Sequence, residues 1–272
     1  MAEPRTAPFP DLPAAKAALI RELALHKQVR DTEQAFVMEG AKPILELLRV
    51  KSPAVLAVVV TSTYLDTGNH ALHHALEQPG RQVFVCRESV FSKMSDLTTA
   101  QGILAVIRKP SWNQEAIFAR PQMLGIYGEC LQDPTNVGTI IRTAAAFGLD
   151  ALWLTAESAD PFNPKIVRAT AGTLLKLPIF TAGDISAFAK HGCAILAADA
   201  SGKRTKRLDE INSIPAKSIV ALGNESRGLS QTTLEQATLR FHIPISKDVE
   251  SLNVAASAAV AAFWFSRIAR DA

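Results

Sequence analysis

The chain has 272 residues, 48% hydrophobic and 20% charged, with a formal net charge of +3 at pH 7. That length admits one large or two modest domains, and a charge shared almost evenly between the stretches before and after residue 110 excludes a long basic nucleic-acid arm. The most apolar helix candidate, residues 252 to 265, contains Asn253 and Ser257 and falls short of the roughly 20 residues that cross a bilayer.

The opening Met1-Ala-Glu-Pro-Arg-Thr-Ala-Pro-Phe-Pro10 carries an acid and three prolines where a secretory signal would need an unbroken apolar core. No export is expected, and the first eighteen or so residues are expected to lack regular structure. Three cysteines, Cys86, Cys130 and Cys193, each lie in or beside an apolar run, the pattern of reduced buried thiols in a cytosolic protein.

From Phe36 to Ile107 short apolar runs alternate with helical patterns: 36–38, 43–50, 55–60, 72–76, 83–86 and 103–107. Such alternation reads as a small α/β unit over residues 1–107. Residues 108–121 then break it with two prolines and polar side chains and read as a linker.

Residues 122–272 alternate again, with strands expected at 124–127, 152–154, 194–197, 219–222 and 241–245. Helices are expected at 137–147, from Lys165 into Leu175, at 229–237 and from Leu252 onward. The strands are continuous apolar runs, as in a parallel sheet with helices on both faces.

Three junctions put glycine, asparagine or serine where a strand ends and a helix begins: Asp133-Pro-Thr-Asn-Val-Gly-Thr-Ile-Ile-Arg142, Leu222-Gly-Asn-Glu-Ser-Arg-Gly228, and Ile243-Pro-Ile-Ser246 through Ser251-Leu-Asn-Val254. Ligands of α/β domains bind in the crevice beyond the carboxyl ends of strands, so three such junctions suggest one shared site. In the first, Thr135 or Asn136 could cap the helix, whose exposed N–H groups favour an anion. Arg142, six residues on, leans back toward the helix N-terminus and could reach the same loop. In the second, Gly223 and Gly228 permit close backbone approach, and Glu225 either ties the loop or faces a ligand. The third offers Ser251 and Asn253 at the start of a helix rich in alanine.

Together these motifs resemble the SPOUT superfamily of S-adenosylmethionine-dependent methyltransferases, in its SpoU (TrmH-family) branch of RNA ribose 2′-O-methyltransferases. The resemblance covers residues 122–270, while Phe36-Val-Met-Glu-Gly40 and Thr98-Thr-Ala-Gln-Gly-Ile-Leu-Ala-Val106 resemble the ends of that family's RNA-substrate-binding domain. It implies an α/β fold: a C-terminal SPOUT domain with a parallel sheet, helices on both faces and a deep trefoil knot, preceded by a small α/β RNA-binding domain. It also implies a cytoplasmic homodimer joined through the C-terminal domain. Carried over by motif, the cofactor S-adenosylmethionine meets Leu222, Gly223, Ile243, Ile245 and Leu252, and the reacting end meets Asn136, Arg142, Glu225, Ser251 and Asn253. The family often assigns Arg142 the activation of the ribose hydroxyl, although a guanidinium is a poor base and could instead hold the adjacent phosphate and stabilise the developing alkoxide.

Candidate RNA contacts are Lys27 and Arg30 in the first unit and Lys203, Arg204, Lys206 and Arg207 in the second, each with an ordinary surface charge as the competing reading. Structured ribosomal RNA is the expected substrate, with transfer RNA next and a catalytically silent RNA-binding module as a further alternative. His70, His73 and His74 share a helical spacing that could hold a metal, but read more simply as a solvated face, so no metal is expected. A nicotinamide-type dinucleotide site is a remote reading, since no Gly-x-Gly-x-x-Gly follows a strand and no acid is suitably placed after it.

Overall fold

The computed structural model describes residues 9–50, 52–67, 70–201 and 204–271. They form two compact units, the first reaching Pro110 and including Phe162–Gly172, the second comprising Ser111–Pro161 and residues from Thr173 on.

In the first unit, helices α1 (Ala14–Leu25) and α2 (Lys27–Thr32) lead into β1 (Ala35–Glu39). There follow α3 (Ala41–Arg49), β2 (Val55–Thr61), α4 (Ser62–Thr67), α5 (His70–Leu76), β3 (Val83–Cys86), α6 (Glu88–Phe91) and β4 (Ile103–Arg108). The strands make one sheet in the order β1-β4-β2-β3. β4 is antiparallel to both neighbours, and β2 and β3 run parallel.

Regular structure begins earlier than the composition suggested. Leu12 N–H donates to the Val85 carbonyl and Val85 N–H to the Pro10 carbonyl. Ile20 and Leu23 of α1 are buried in a core cluster with Val37, Val59 and Leu104. Burying such side chains, at about 1.5–3 kcal/mol each, holds a helix that has no side-chain cap.

Glu39, 8% exposed at the end of β1, accepts hydrogen bonds from Ser95 Oγ (2.7 Å) and Gln101 N–H (2.8 Å). It thereby ties the two segments singled out in the sequence, whose strands pair with Phe36 opposite Ile107.

In the second unit α7 (Gln114–Phe118) falls inside the stretch read as a linker, capped by Asn113 through a hydrogen bond from Ala116 N–H. After it come β5 (Met123–Gly128), α8 (Pro134–Ala146) and β6 (Ala151–Leu154). The chain next forms α9 (Pro164–Ala169), which packs on β1 and counts with the first unit. Phe162 lies against Phe36 with ring centroids 5.1 Å apart, and Arg168 forms a two-pronged pair with Asp96, its Nη2 arm measuring 2.8 Å.

The helix expected from Lys165 into Leu175 is therefore broken. Ala171 and Gly172 both take positive φ, ending α9, and residues 173–175 form a separate turn of 3₁₀ helix. The sequence's single domain over 122–272 is interrupted at the same place.

The chain continues through β7 (Ile179–Thr181), α10 (Ile185–Lys190), β8 (Ala194–Ala198), β9 (Lys206–Arg207), β10 (Ser213–Pro215) and β11 (Lys217–Leu222). It ends with α11 (Gln231–Glu235), β12 (Leu239–His242), α12 (Val254–Arg267) and β13 (Ala269–Asp271). Seven strands form an all-parallel sheet in the order β7-β6-β5-β11-β8-β12-β9.

One face of this sheet holds Phe118, Trp153 and Phe188, with Phe118 and Trp153 stacked at 5.4 Å. Gly125 makes room for that indole, since a Cβ there would lie 2.4 Å from the Trp153 ring. α12 packs against α8, burying Ala258, Ala261 and Ala262 as its small side chains allow. No helix of the described residues is long and apolar enough to cross a membrane.

β12 stops at His242, short of the expected Ile245, because Pro244 has no N–H to give a neighbouring strand. Residues 243–253 form no helix or strand.

Candidate active site

The three junctions converge. β5 and β11 are neighbours, so the loops leaving their carboxyl ends start side by side, and α12 packs on α8. α8 is capped by Asp133, whose Oδ1 accepts from Thr135 N–H at 2.8 Å, with Pro134 opening the helix. Neither Thr135 nor Asn136 is the cap, as the sequence reading had it. Asn136 sits inside the first turn, and its amide is free to face the other two loops.

Asn136 is 6% exposed and uses that freedom fully. Its Nδ2 donates to Glu225 Oε1 at 2.9 Å, and its Oδ1 accepts from Asn253 Nδ2 at 2.9 Å. Asn253 in turn caps α12, its Oδ1 accepting from Ala255 N–H (2.8 Å) and Ala256 N–H (3.3 Å). A polarised chain thus runs from the first amides of α12 through two carboxamides to a carboxylate. A buried amide satisfied at both ends is held in one orientation.

Arg142 lies further along α8, exposed, and among the described residues no hydrogen bond or ion pair engages it. A cation fixed on a rigid helix and left unpaired is available to an anionic ligand. Ser251 is exposed in the third loop.

The five residues expected at the cofactor divide by exposure. Leu222 is buried at the end of β11, so only its backbone could meet a ligand. Gly223 has no space for a side chain: a Cβ would stand 2.1 Å from the Gly228 carbonyl carbon and 2.2 Å from Leu229 N. Ile243 is half-buried, and Ile245 and Leu252 are 38% and 37% exposed. Backbone edges beside exposed apolar side chains suit a ligand with a flat heterocycle and a polar tail. These residues therefore fit a nucleoside-type methyl donor.

Sequence reasoning missed two groups that shape these loops. Glu129 Oε2 accepts from Ser230 N–H at 2.9 Å, and Asn224 Nδ2 donates to the Cys130 carbonyl at 2.8 Å. Nothing local marks partners 101 and 94 positions away. Cys130, expected to be buried, is half-exposed with φ +54°, while Cys86 and Cys193 are buried.

The basic residues expected to meet RNA fare unevenly. Arg30 is 2% exposed, and its Nη1 donates to the carbonyls of Leu23 (2.7 Å) and Ala24 (3.3 Å). It satisfies the carbonyl end of α1 and is not a surface contact, a correction to the sequence reading. Lys27 is exposed and paired with Asp31 at 2.6 Å. Arg207 is exposed but engaged by Asp209 (2.8 Å) and Glu210 (3.5 Å). Arg204 and Lys206 are exposed, and Lys203 lies outside the described residues.

His73 is half-buried, not part of a solvated face, and its Nε2 has no hydrogen-bond partner. The His70 side chain lies outside the described residues. Among those described, no group of three or more His, Cys, Asp or Glu side chains could hold a metal ion. A cavity of about 600 Å³ in the first unit, walled by Leu48, Val55 and Arg81, contains none of the three-loop residues.

Comparison with known proteins bears on these loops and on the first unit. Residues 123–263 match the SpoU rRNA Methylase family, and residues 18–105 match the MRM3-like substrate binding domain. The chain is 30% identical over 264 residues to a Synechocystis protein named as an uncharacterized tRNA/rRNA methyltransferase, covering 94% of this chain and 93% of that one. It is also 30% identical over 225 residues to the Bacillus subtilis 23S rRNA (guanosine(2553)-2′-O)-methyltransferase RlmP, covering 74% of this chain and 87% of that one. The crystal structure of the SpoU methyltransferase AviRb from Streptomyces viridochromogenes, in complex with AdoMet, shares the fold with a TM-score of 0.81 at 21% identity, covering 94% of this chain and 98% of that chain.

Proposed function

The chain belongs to the SpoU rRNA methylase family, and on that premise we propose that it transfers a methyl group from S-adenosylmethionine to a ribose 2′-hydroxyl of structured ribosomal RNA. The observation that carries this reading is Asn136, bonded at once to Glu225 and Asn253, so that all three loops meet at one buried amide with Arg142 on the same helix. RlmP, by its name, methylates a ribose of 23S rRNA, and the first unit matches a substrate-binding domain.

The donor supplies an electrophilic methyl on a sulfonium. What remains for the protein is to hold the nucleotide and favour the negative charge growing on the attacking oxygen. A guanidinium is a poor base, so Arg142 acts as an electrostatic partner to the neighbouring phosphate and the developing alkoxide. Asn136, Asn253 and Ser251 offer amide and hydroxyl groups to orient the sugar. The hydroxyl proton passes to water or to the Glu225 carboxylate.

The same reading includes a cytoplasmic homodimer and the trefoil knot. In support of the dimer, α12 leaves Val260 41% and Phe263 50% exposed on one helix, with Phe147 edge-on to Phe263 at 5.8 Å. Exposed apolar side chains grouped in this way mark interaction surfaces.

The test is incubation of the protein with labelled donor and, separately, ribosomal and transfer RNA from cells lacking it, followed by nuclease digestion and mass analysis. Label is expected on one ribose. Label on a base, on transfer RNA alone, or on no RNA would overturn the proposal.

A further inference from the structure

We propose that Asn224 is a positioning residue for methyl transfer, holding Glu225 where it can bond Asn136; this rests on the function proposed above. Asn224 sits at the centre of the second loop and uses every polar atom it has. Its Oδ1 accepts from Ser226 N–H (3.0 Å) and Arg227 N–H (3.2 Å), closing a turn around Glu225. Its backbone exchanges two hydrogen bonds with Gly228, at 3.0 and 2.8 Å, which pinches the loop shut. Its Nδ2 reaches out to the Cys130 carbonyl at 2.8 Å and so pins that turn to the loop leaving β5.

The anchor at the far end is itself fixed. Cys130 N–H donates to Thr155 Oγ1 at 3.0 Å, and Leu131 N–H to Ser158 Oγ at 3.1 Å. Those hydroxyls lie 3.2 Å apart just beyond β6. A continuous path therefore runs from the end of β6 through Cys130, Asn224 and Glu225 to Asn136 and α12. Glu225 is exposed, so no surrounding core holds its carboxylate in place. Asn136 Nδ2 holds one carboxylate oxygen at 2.9 Å, Asn224 Nδ2 lies 3.5 Å from the other, and the turn that presents the carboxylate is set by Asn224.

Asn224→Ala removes both the turn closure and the pin. Asn224→Asp keeps an acceptor for Ser226 and Arg227 but turns an oxygen toward the Cys130 carbonyl, so it separates the two. If Asn224 acts through Glu225, misplacing that carboxylate by an ångström lowers the chemical step about 100-fold. Single-turnover rates of the full chain on ribosomal RNA, with KM measured alongside, test this. The expected result is a drop in kcat for both variants, an unchanged KM for RNA, and a double Asn224→Ala/Glu225→Ala variant no slower than Glu225→Ala alone.

Wild-type kcat in Asn224→Asp, full activity in Glu225→Ala, or losses that multiply in the double variant would each overturn the assignment. Amide exchange supplies a readout independent of activity: Ser226 and Arg227 are protected in the wild type and lose that protection in Asn224→Ala. Should the wild-type chain methylate no RNA, the proposed function fails while exchange still reports on Asn224. Rapid exchange at both amides in the wild type would remove it.

Discussion

Arg30 and Arg142 are the same side chain put to opposite uses in the two units. Arg30 is 2% exposed and spends its donors on the carbonyls at the end of α1. Arg142 is exposed on α8 with nothing bonded to it among the described residues. The difference teaches that a basic residue marks a ligand only when the fold has left it without internal work. In the second unit Asn136, Glu225 and Asn253 satisfy one another, while Arg142, six residues along the same helix as Asn136, remains a free charge.

The largest effect should come from breaking the free member of that pair. Arg142→Ala is expected to lower kcat/KM about 1000-fold, the scale of removing a donor aimed at developing negative charge, with no change in thermal midpoint. Arg142→Lys should retain a measurable part of the activity if charge suffices, and none if the planar fork is required. Transfer of labelled methyl, together with a melting curve, distinguishes these outcomes.

Asn136→Ala sharpens the contrast, since it removes a residue that is both structural and at the site. It should lower kcat about 100-fold and also destabilise by about 1 kcal/mol, because a buried amide and its two hydrogen bonds are lost while the exposed partners Asn253 and Glu225 can turn to water. Denaturant unfolding of the same preparation measures the second part.

Arg30→Ala should do the reverse of Arg142→Ala. Loss of a buried charged donor to two helix-end carbonyls is expected to destabilise by about 2 kcal/mol, with RNA affinity of the folded protein unchanged. A fall in affinity at a temperature where the variant is fully folded would restore Arg30 as an RNA contact.

A last effect appears at alkaline pH. Burial, assisted by the Glu88 carboxylate, pushes the Cys86 thiol up from 9.0 to about 11. A group whose folded pKa is raised contributes fully below the unfolded value and loses that contribution as pH rises toward the folded one. Stability should therefore decline between about pH 9 and 11, and Cys86→Ala should flatten that decline in a series of thermal melts.

Much of this contrast was legible in the chain itself. Buried parallel strands leave continuous apolar runs, which is why β5, β6, β8 and β11 read correctly. The three junctions stood out because a strand that ends in glycine and asparagine must turn. What stayed hidden depends on partners far along the chain. Asn224 and Glu129 bond partners 94 and 101 positions away, and Arg30 reads as a surface charge because a helix-end carbonyl leaves no mark in a sequence. Pro244, which has no N–H to donate, ends β12 at His242 although the apolar run continues to Ile245.

The passage of Phe162–Gly172 into the first unit has a practical consequence for anyone dividing the gene. Pro164, Ile166 and Val167 are buried there, and Arg168 holds Asp96. A fragment spanning residues 111–272 would carry these apolar side chains into water, and one ending at residue 110 would leave the trough beside Phe36 bare. A single crossover between relatives inherits the same mismatch, so chimaeras of this protein need two breakpoints more, one on each side of the α9 detour.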